Sequence, residues 1–189
     1  SGGGVSATYG KLRDAATEFT DGKPLDYLVL NGDTVDFSIQ SFAQSCKAAK
    51  PFFQAIAEDG LAAELVYIPG NHDKYVWDTV EWQTNVVMPM GKHDGPREFR
   101  RTQPALIAYP GTPIYLPGVH KVEGEDHYGG LFLQGLFAED TNIWINVAYP
   151  NLYIKTAQDT YLVTHGHMLE PAWVLVSELL GSEPELTEL

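Results

Sequence analysis

Apolar positions along the chain fall into short blocks that alternate between helical spacing and unbroken runs. Over residues 9–19, Leu12, Ala15, Ala16 and Phe19 recur at helical spacing, which predicts an amphipathic helix with that stripe inward. Asp21-Gly22-Lys23-Pro24 breaks the chain. Residues 25–30 (Leu-Asp-Tyr-Leu-Val-Leu) then predict a largely buried strand that ends in Asn31-Gly32-Asp33. A second helix is predicted over 39–58, with Phe42, Cys46, Ala49, Phe53 and Ile56 inward and Pro51 expected to kink or divide it. A second buried strand over 63–68 runs into Pro69-Gly70-Asn71-His72-Asp73, and a third over Thr160–Thr164 runs into His165-Gly166-His167. Residues 172–180 predict a helix with Trp173, Val176 and Leu180 inward. Between Trp82 and Pro150 no period dominates; 131–137 and 143–147 read as strands, or as a short helix and a strand. Residues 83–150 are expected to form a cap-like insertion over the sheet.

The order helix, strand, polar loop, helix, strand, polar loop predicts an α/β fold with parallel strands. In such sheets function collects in loops beyond the carboxyl ends of strands, which is where all three polar loops lie. A length of 189 residues suits one domain with a real core, and 44% hydrophobic with 20% charged residues excludes a disordered chain. The formal net charge of -13 repels phosphate backbones, so nucleic acid is not expected as a main partner. A small phosphorylated substrate stays open, because a bound cation reverses the local field. Cys46, the single cysteine, excludes an internal disulfide framework and a cysteine-rich zinc site. No apolar stretch reaches the roughly 18 residues that suggest a membrane span. The compartment stays open with the cytoplasm favoured, and the oligomeric state is unassigned.

Three strand ends supply Asp33 and Asp36, then Asn71, His72 and Asp73, then His165 and His167. Carboxylate, amide and imidazole donors together suit Mn, Fe or Zn better than Ca or an all-sulfur site. Taken alone, Gly32-Asp33-Thr34-Val35-Asp36 also fits a strand-to-helix turn in which an aspartate caps the next helix. Asn71-His72-Asp73 alone also fits a polar turn. Order, spacing and placement at three strand ends favour chemistry over three separate turns.

At these residues the chain resembles the calcineurin-like metallophosphoesterase superfamily. Its Gly-Asp-x-x-Asp, Gly-Asn-His-Asp/Glu and later His-Gly-containing elements are matched by Gly32–Asp36, Gly70–Asp73 and Thr164–His167. The resemblance implies a four-layer α-β-β-α sandwich with mixed and parallel strands, and a metal-dependent phosphoric ester hydrolase. It implies two divalent metal ions (Mn, Fe or Zn), bridged by Asp33, with Asn71 and His165 on one of them. His72 would act near the substrate, with Asp73 orienting it; Asp36 and His167 are second-sphere residues or further ligands. The substrate would be a phosphomonoester, phosphodiester or pyrophosphate. The family's Asp-x-His and Gly-His-x-His elements are absent from this chain. A single domain shortened at both ends is therefore the expectation, with a non-catalytic metal- or partner-binding module as the alternative.

Lys92, Arg97, Arg100 and Arg101 crowd four of the twelve basic residues into ten positions, which marks Arg97, Arg100 and Arg101 as candidate substrate contacts. A solvated loop paired with nearby acids competes with that reading. His120 and His127 are expected to be structural or exposed, and Phe132, Phe137, Trp144 and Tyr149 to be packing residues.

Overall fold

In the computed structural model, residues 6–99, 101–108, 133, 135–136 and 143–169 are described. The elements in order are α1 (Ala7–Phe19), β1 (Leu25–Asn31), α2 (Phe42–Glu58), β2 (Ala62–Ile68) and α3 (Tyr75–Trp82). A π-helical turn (Gln83–Val87), α4 (Met88–Gly91), β3 (Ala105–Ala108), β4 (Trp144–Val147), β5 (Asn151–Lys155), β6 (Thr160–Thr164) and a 3-10 turn (His167–Leu169) follow. The helices and strands expected at 9–19, 25–30, 39–58, 63–68 and Thr160–Thr164 are all present, within a few residues of their predicted ends. The helix expected at 172–180 lies outside the described residues.

The strands form two sheets. One has the order β1-β2-β4 with all pairs parallel; the other has β3 parallel to β5, and β5 antiparallel to β6. The chain is therefore a mixed α/β fold. The mixed and parallel strands expected are present, and β6 supplies the antiparallel pair, in the second sheet.

β2 explains why its sequence is an unbroken apolar run, because both of its faces are buried. Leu65 and Tyr67 join Phe53, Ile56, Val76 and Trp77 in a core beneath the helices. Val66 and Ile68, pointing the opposite way, pack with Ala105, Ile107 and Leu152 of the second sheet. The described layers are thus helices, first sheet, second sheet. Ala105–Ala108 and Trp144–Val147 are strands of these sheets, so the cap expected over 83–150 does not extend to them.

Two helical expectations change. Leu12 and Phe19 of α1 are exposed, at 45% and 87%, and Tyr9 is the buried residue. Its ring meets Phe52 edge-on and its hydroxyl donates to Asp59, which turns the helix about its axis. Burial raises the Tyr9 phenol pKa, and Asp59 raises it further. α2 starts at Phe42, where Gln44 Oε1 accepts from the Ser41 backbone N–H and hydroxyl, and it continues through Pro51 without division. An interior proline costs a helix about 3 kcal/mol. Burying Phe53 and Ile56 completely offsets that, at about 1.5–3 kcal/mol each.

Candidate metal centre

The loops after β1, β2 and β6 meet at one edge of the paired sheets. Gly32 (φ 80°) and Asp33 (φ 51°) both take the left-handed conformation, which turns the chain sharply as it leaves β1. A Cβ at Gly32 would overlap the His165 ring, and one at Gly70 would overlap the Asp33 carboxylate. Both glycines are therefore required by close approach. Asn31 Nδ2 donates to the Thr164 carbonyl at 3.1 Å and ties the first sheet to the β6 loop.

Asp33, Asn71 and His165 converge. His165 Nε2 lies 3.2 Å from Asp33 Oδ2 and 3.2 Å from Asn71 Oδ1. His165 Nδ1 lies 3.3 Å from the Asn31 carbonyl oxygen. A carbonyl only accepts, so the Nδ1 nitrogen is the one that carries the proton. Nε2 of the neutral ring is then a lone pair facing two oxygens. Three electron-pair donors aimed at one another repel unless a cation or an added proton lies among them. A ligating histidine whose other N–H is held by a backbone carbonyl is the usual arrangement in metal sites. One carboxylate, one amide and one imidazole thus fit a single divalent cation. Among the described residues, no group of three or more His, Cys, Asp or Glu side chains is placed to hold one.

His72 sits beside this set, not in it. Its backbone N–H donates to Asp33 Oδ1 at 3.0 Å. Its Nδ1 lies 3.3 Å from Asp36 Oδ2 and 3.1 Å from Ser38 Oγ. The bond to Asp36 is the largest influence on the ring and raises its pKa. Asp36 is held in turn by the Ser38 hydroxyl (2.6 Å) and backbone N–H (2.7 Å), which lower its own pKa.

The resemblance implied that Asp73 orients His72; the carboxylate beside the His72 ring is that of Asp36. Asp73 is fully buried and accepts from Tyr67 Oη (2.5 Å), Gly70 N (2.5 Å) and Thr34 N (2.9 Å). Burial and the Asp73 carboxylate push the Tyr67 phenol pKa up. His167 stands 5.4 Å, ring to ring, from His165, and its buried Nδ1 has no hydrogen-bond partner among the described residues. Burial first, and the neighbouring His165 second, lower its pKa. Arg97 and Arg101 are exposed, and among the described residues no hydrogen bond or ion pair joins them to this cluster. Arg100, His120 and His127 lie outside the described residues.

A family model described as calcineurin-like phosphoesterase matches residues 5–179. The chain belongs to that family. Its members are phosphoesterase hydrolases that typically bind divalent metals, which agrees with the oxygen and nitrogen donors gathered here. Comparison with curated proteins and with solved structures yields no significant match.

For this calcineurin-like phosphoesterase, sequence reasoning located Asp33, Asn71, His72 and His165 but missed Ser38 and Tyr67. Ser38 carried a signal, since a serine two residues after an aspartate commonly closes an Asx turn. Tyr67 carried a fainter one, as the single hydroxyl in the apolar second half of β2, which is buried on both faces and demands a partner.

Proposed function

We propose that this chain hydrolyses a phosphomonoester, phosphodiester or pyrophosphate bond in a small substrate, at a centre holding two divalent metal ions (Mn, Fe or Zn). The convergence of His165 Nε2, Asp33 Oδ2 and Asn71 Oδ1 carries the reading. Asp33, Asn71 and His165 would hold one ion. Asp33 would extend to the second, with Asp36 or His167 as a further ligand. The chemistry such a pair supplies is neutralisation of phosphoryl charge and acidification of water.

The chain's own groups account for the remaining work. Nδ1 of His72 is engaged by Asp36 and Ser38, so Nε2 is the nitrogen that can hold a proton for the departing oxygen. The raised pKa keeps that proton in place nearer neutral pH. Arg97, Arg100 and Arg101 are proposed to meet the substrate's anionic groups. The four-layer sandwich, and a cap within 83–150 apart from the two sheet strands, belong to the same proposal; the helix–sheet–sheet layers support it. A small substrate, with nucleic acid not a main partner, follows from the net charge of -13. Among the described residues no helix is long and apolar enough to cross a membrane.

The second reading is a non-catalytic metal- or partner-binding module. The absence of Asp-x-His and Gly-His-x-His from these 189 residues supports it, as does the absence, among the described residues, of any group of three or more His, Cys, Asp or Glu side chains placed to hold an ion. Elemental analysis after Mn loading, run beside hydrolysis of p-nitrophenyl phosphate and its bis-ester, separates the two. Close to two ions per chain with Mn-dependent turnover, both lost in Asp33→Asn, is expected. One ion or none without turnover would sink the catalytic reading in favour of the module.

A further inference from the structure

Asp73 is a buried carboxylate whose hydrogen bonds reach two loops and one strand. Its Oδ2 accepts from the Thr34 N–H, the residue after Asp33, and more weakly from Val35 N at 3.4 Å. Its Oδ1 accepts from the Gly70 N–H, the residue before Asn71. Tyr67, fully buried in β2, donates its hydroxyl to Oδ2. The Asp33 carboxylate joins the same two loops at a second point, because its Oδ1 accepts from the His72 backbone N–H. A buried anion is tolerable only when donors satisfy it, and here three backbone N–H groups and a phenol do so.

We propose that Asp73, supported by Tyr67, is a positioning residue that sets the loop after β1 against the loop after β2. Asp33 and Asn71 are thereby presented together to His165. The inference rests on reading that trio as a metal site. It gives Asp73 a task distinct from that of Asp36, which holds the His72 ring. A carboxylate is required because it accepts at both oxygens. In Asp73→Asn, either amide orientation faces an NH2 against an N–H or O–H donor, at Gly70 on one side or at Thr34 and Tyr67 on the other. The two loops then lose their common register. Tyr67→Phe removes one donor and leaves the backbone bonds.

The test is titration of the protein with Mn2+ alone, well below the melting temperature, with circular dichroism to establish that each variant is folded. Asp73→Asn is expected to weaken Mn2+ binding by about 10–100-fold, the usual effect of losing a group that supports a ligand. Tyr67→Phe is expected to weaken it about tenfold or less, in the same direction. His72→Ala is expected to leave the Mn2+ Kd within about twofold while abolishing turnover. Folded variants that bind Mn2+ as tightly as the wild type, with only a lower Tm, would show a merely structural role and overturn the proposal. Should Asp73→Asn fail to fold, an unchanged Kd in Tyr67→Phe overturns it equally. A wild type that binds no Mn2+ overturns the metal-site reading itself, a result distinct from wild-type binding that the variants match.

Discussion

The 3.3 Å approach of Asp36 Oδ2 to His72 Nδ1 fixes the direction in which that imidazole titrates. An anion beside Nδ1 stabilises the charged ring, so the pKa in the folded protein is above its ordinary value. For a group shifted upward on folding, the associated stability is fully present below the unfolded pKa. It is lost as pH rises through the folded value. Asp36→Asn removes the largest upward influence, so the His72 pKa should fall. A nitrogen-detected NMR titration of the metal-free protein reads this directly. The same midpoint in both proteins would mean that Asp36 does not govern the ring. His72 and Asp36 stand 36 residues apart, on different loops. Their chemical types were legible in the sequence, but the pairing was not, and Asp73 was the natural local guess.

Each candidate ligand stands where an element ends, and the geometry of that ending matters as much as the side chain. β1 leaves the sheet through Gly32 and Asp33, both at positive φ. Gly32→Ala would put a methyl group into the His165 ring and force a disfavoured backbone conformation on a residue with a Cβ. A loss of about 1–3 kcal/mol in urea denaturation is expected, together with weaker Mn2+ binding, because His165 must give way. Wild-type stability with wild-type affinity would show that the turn and the ring are not coupled. The main helices and strands were visible in the sequence because period and run length are local properties. α3, β3 and β5 were not: β3 and β5 are four and five residues long, and their strand character comes from pairing with each other. The inward face of α1 was misjudged for a related reason. Tyr9 outcompetes Leu12 and Phe19 because Phe52 and Asp59 wait for it on α2 and just beyond.

Across the whole molecule, 25 acidic residues against 12 basic ones leave a net charge of -13, which opposes compaction. Salt screens that repulsion over about 10 Å at 0.1 M. Raising sodium chloride from about 10 to about 150 mM should therefore raise Tm, by about 2–4 °C for each kcal/mol of relieved repulsion in a protein of this size. A melting temperature that is flat or falls with salt would show that local ion pairs outweigh the net field. The same field favours a cation at the one edge where Asp33, Asn71 and His165 meet.

The amino-acid sequence by itself determined the alternation of helices and strands, the polar ending of three of those strands, and the residue types available there. Each follows from local periodicity and chemistry along a short stretch. Only the tertiary structure decided that β6 lies in a second sheet yet delivers His165 to the first, that Asp36 and Ser38 hold His72, and that Asp73 is buried between two loops with Tyr67. These are contacts between residues far apart in the chain. Their partners are chosen by which faces the packed sheets leave opposed, a property that no single segment carries.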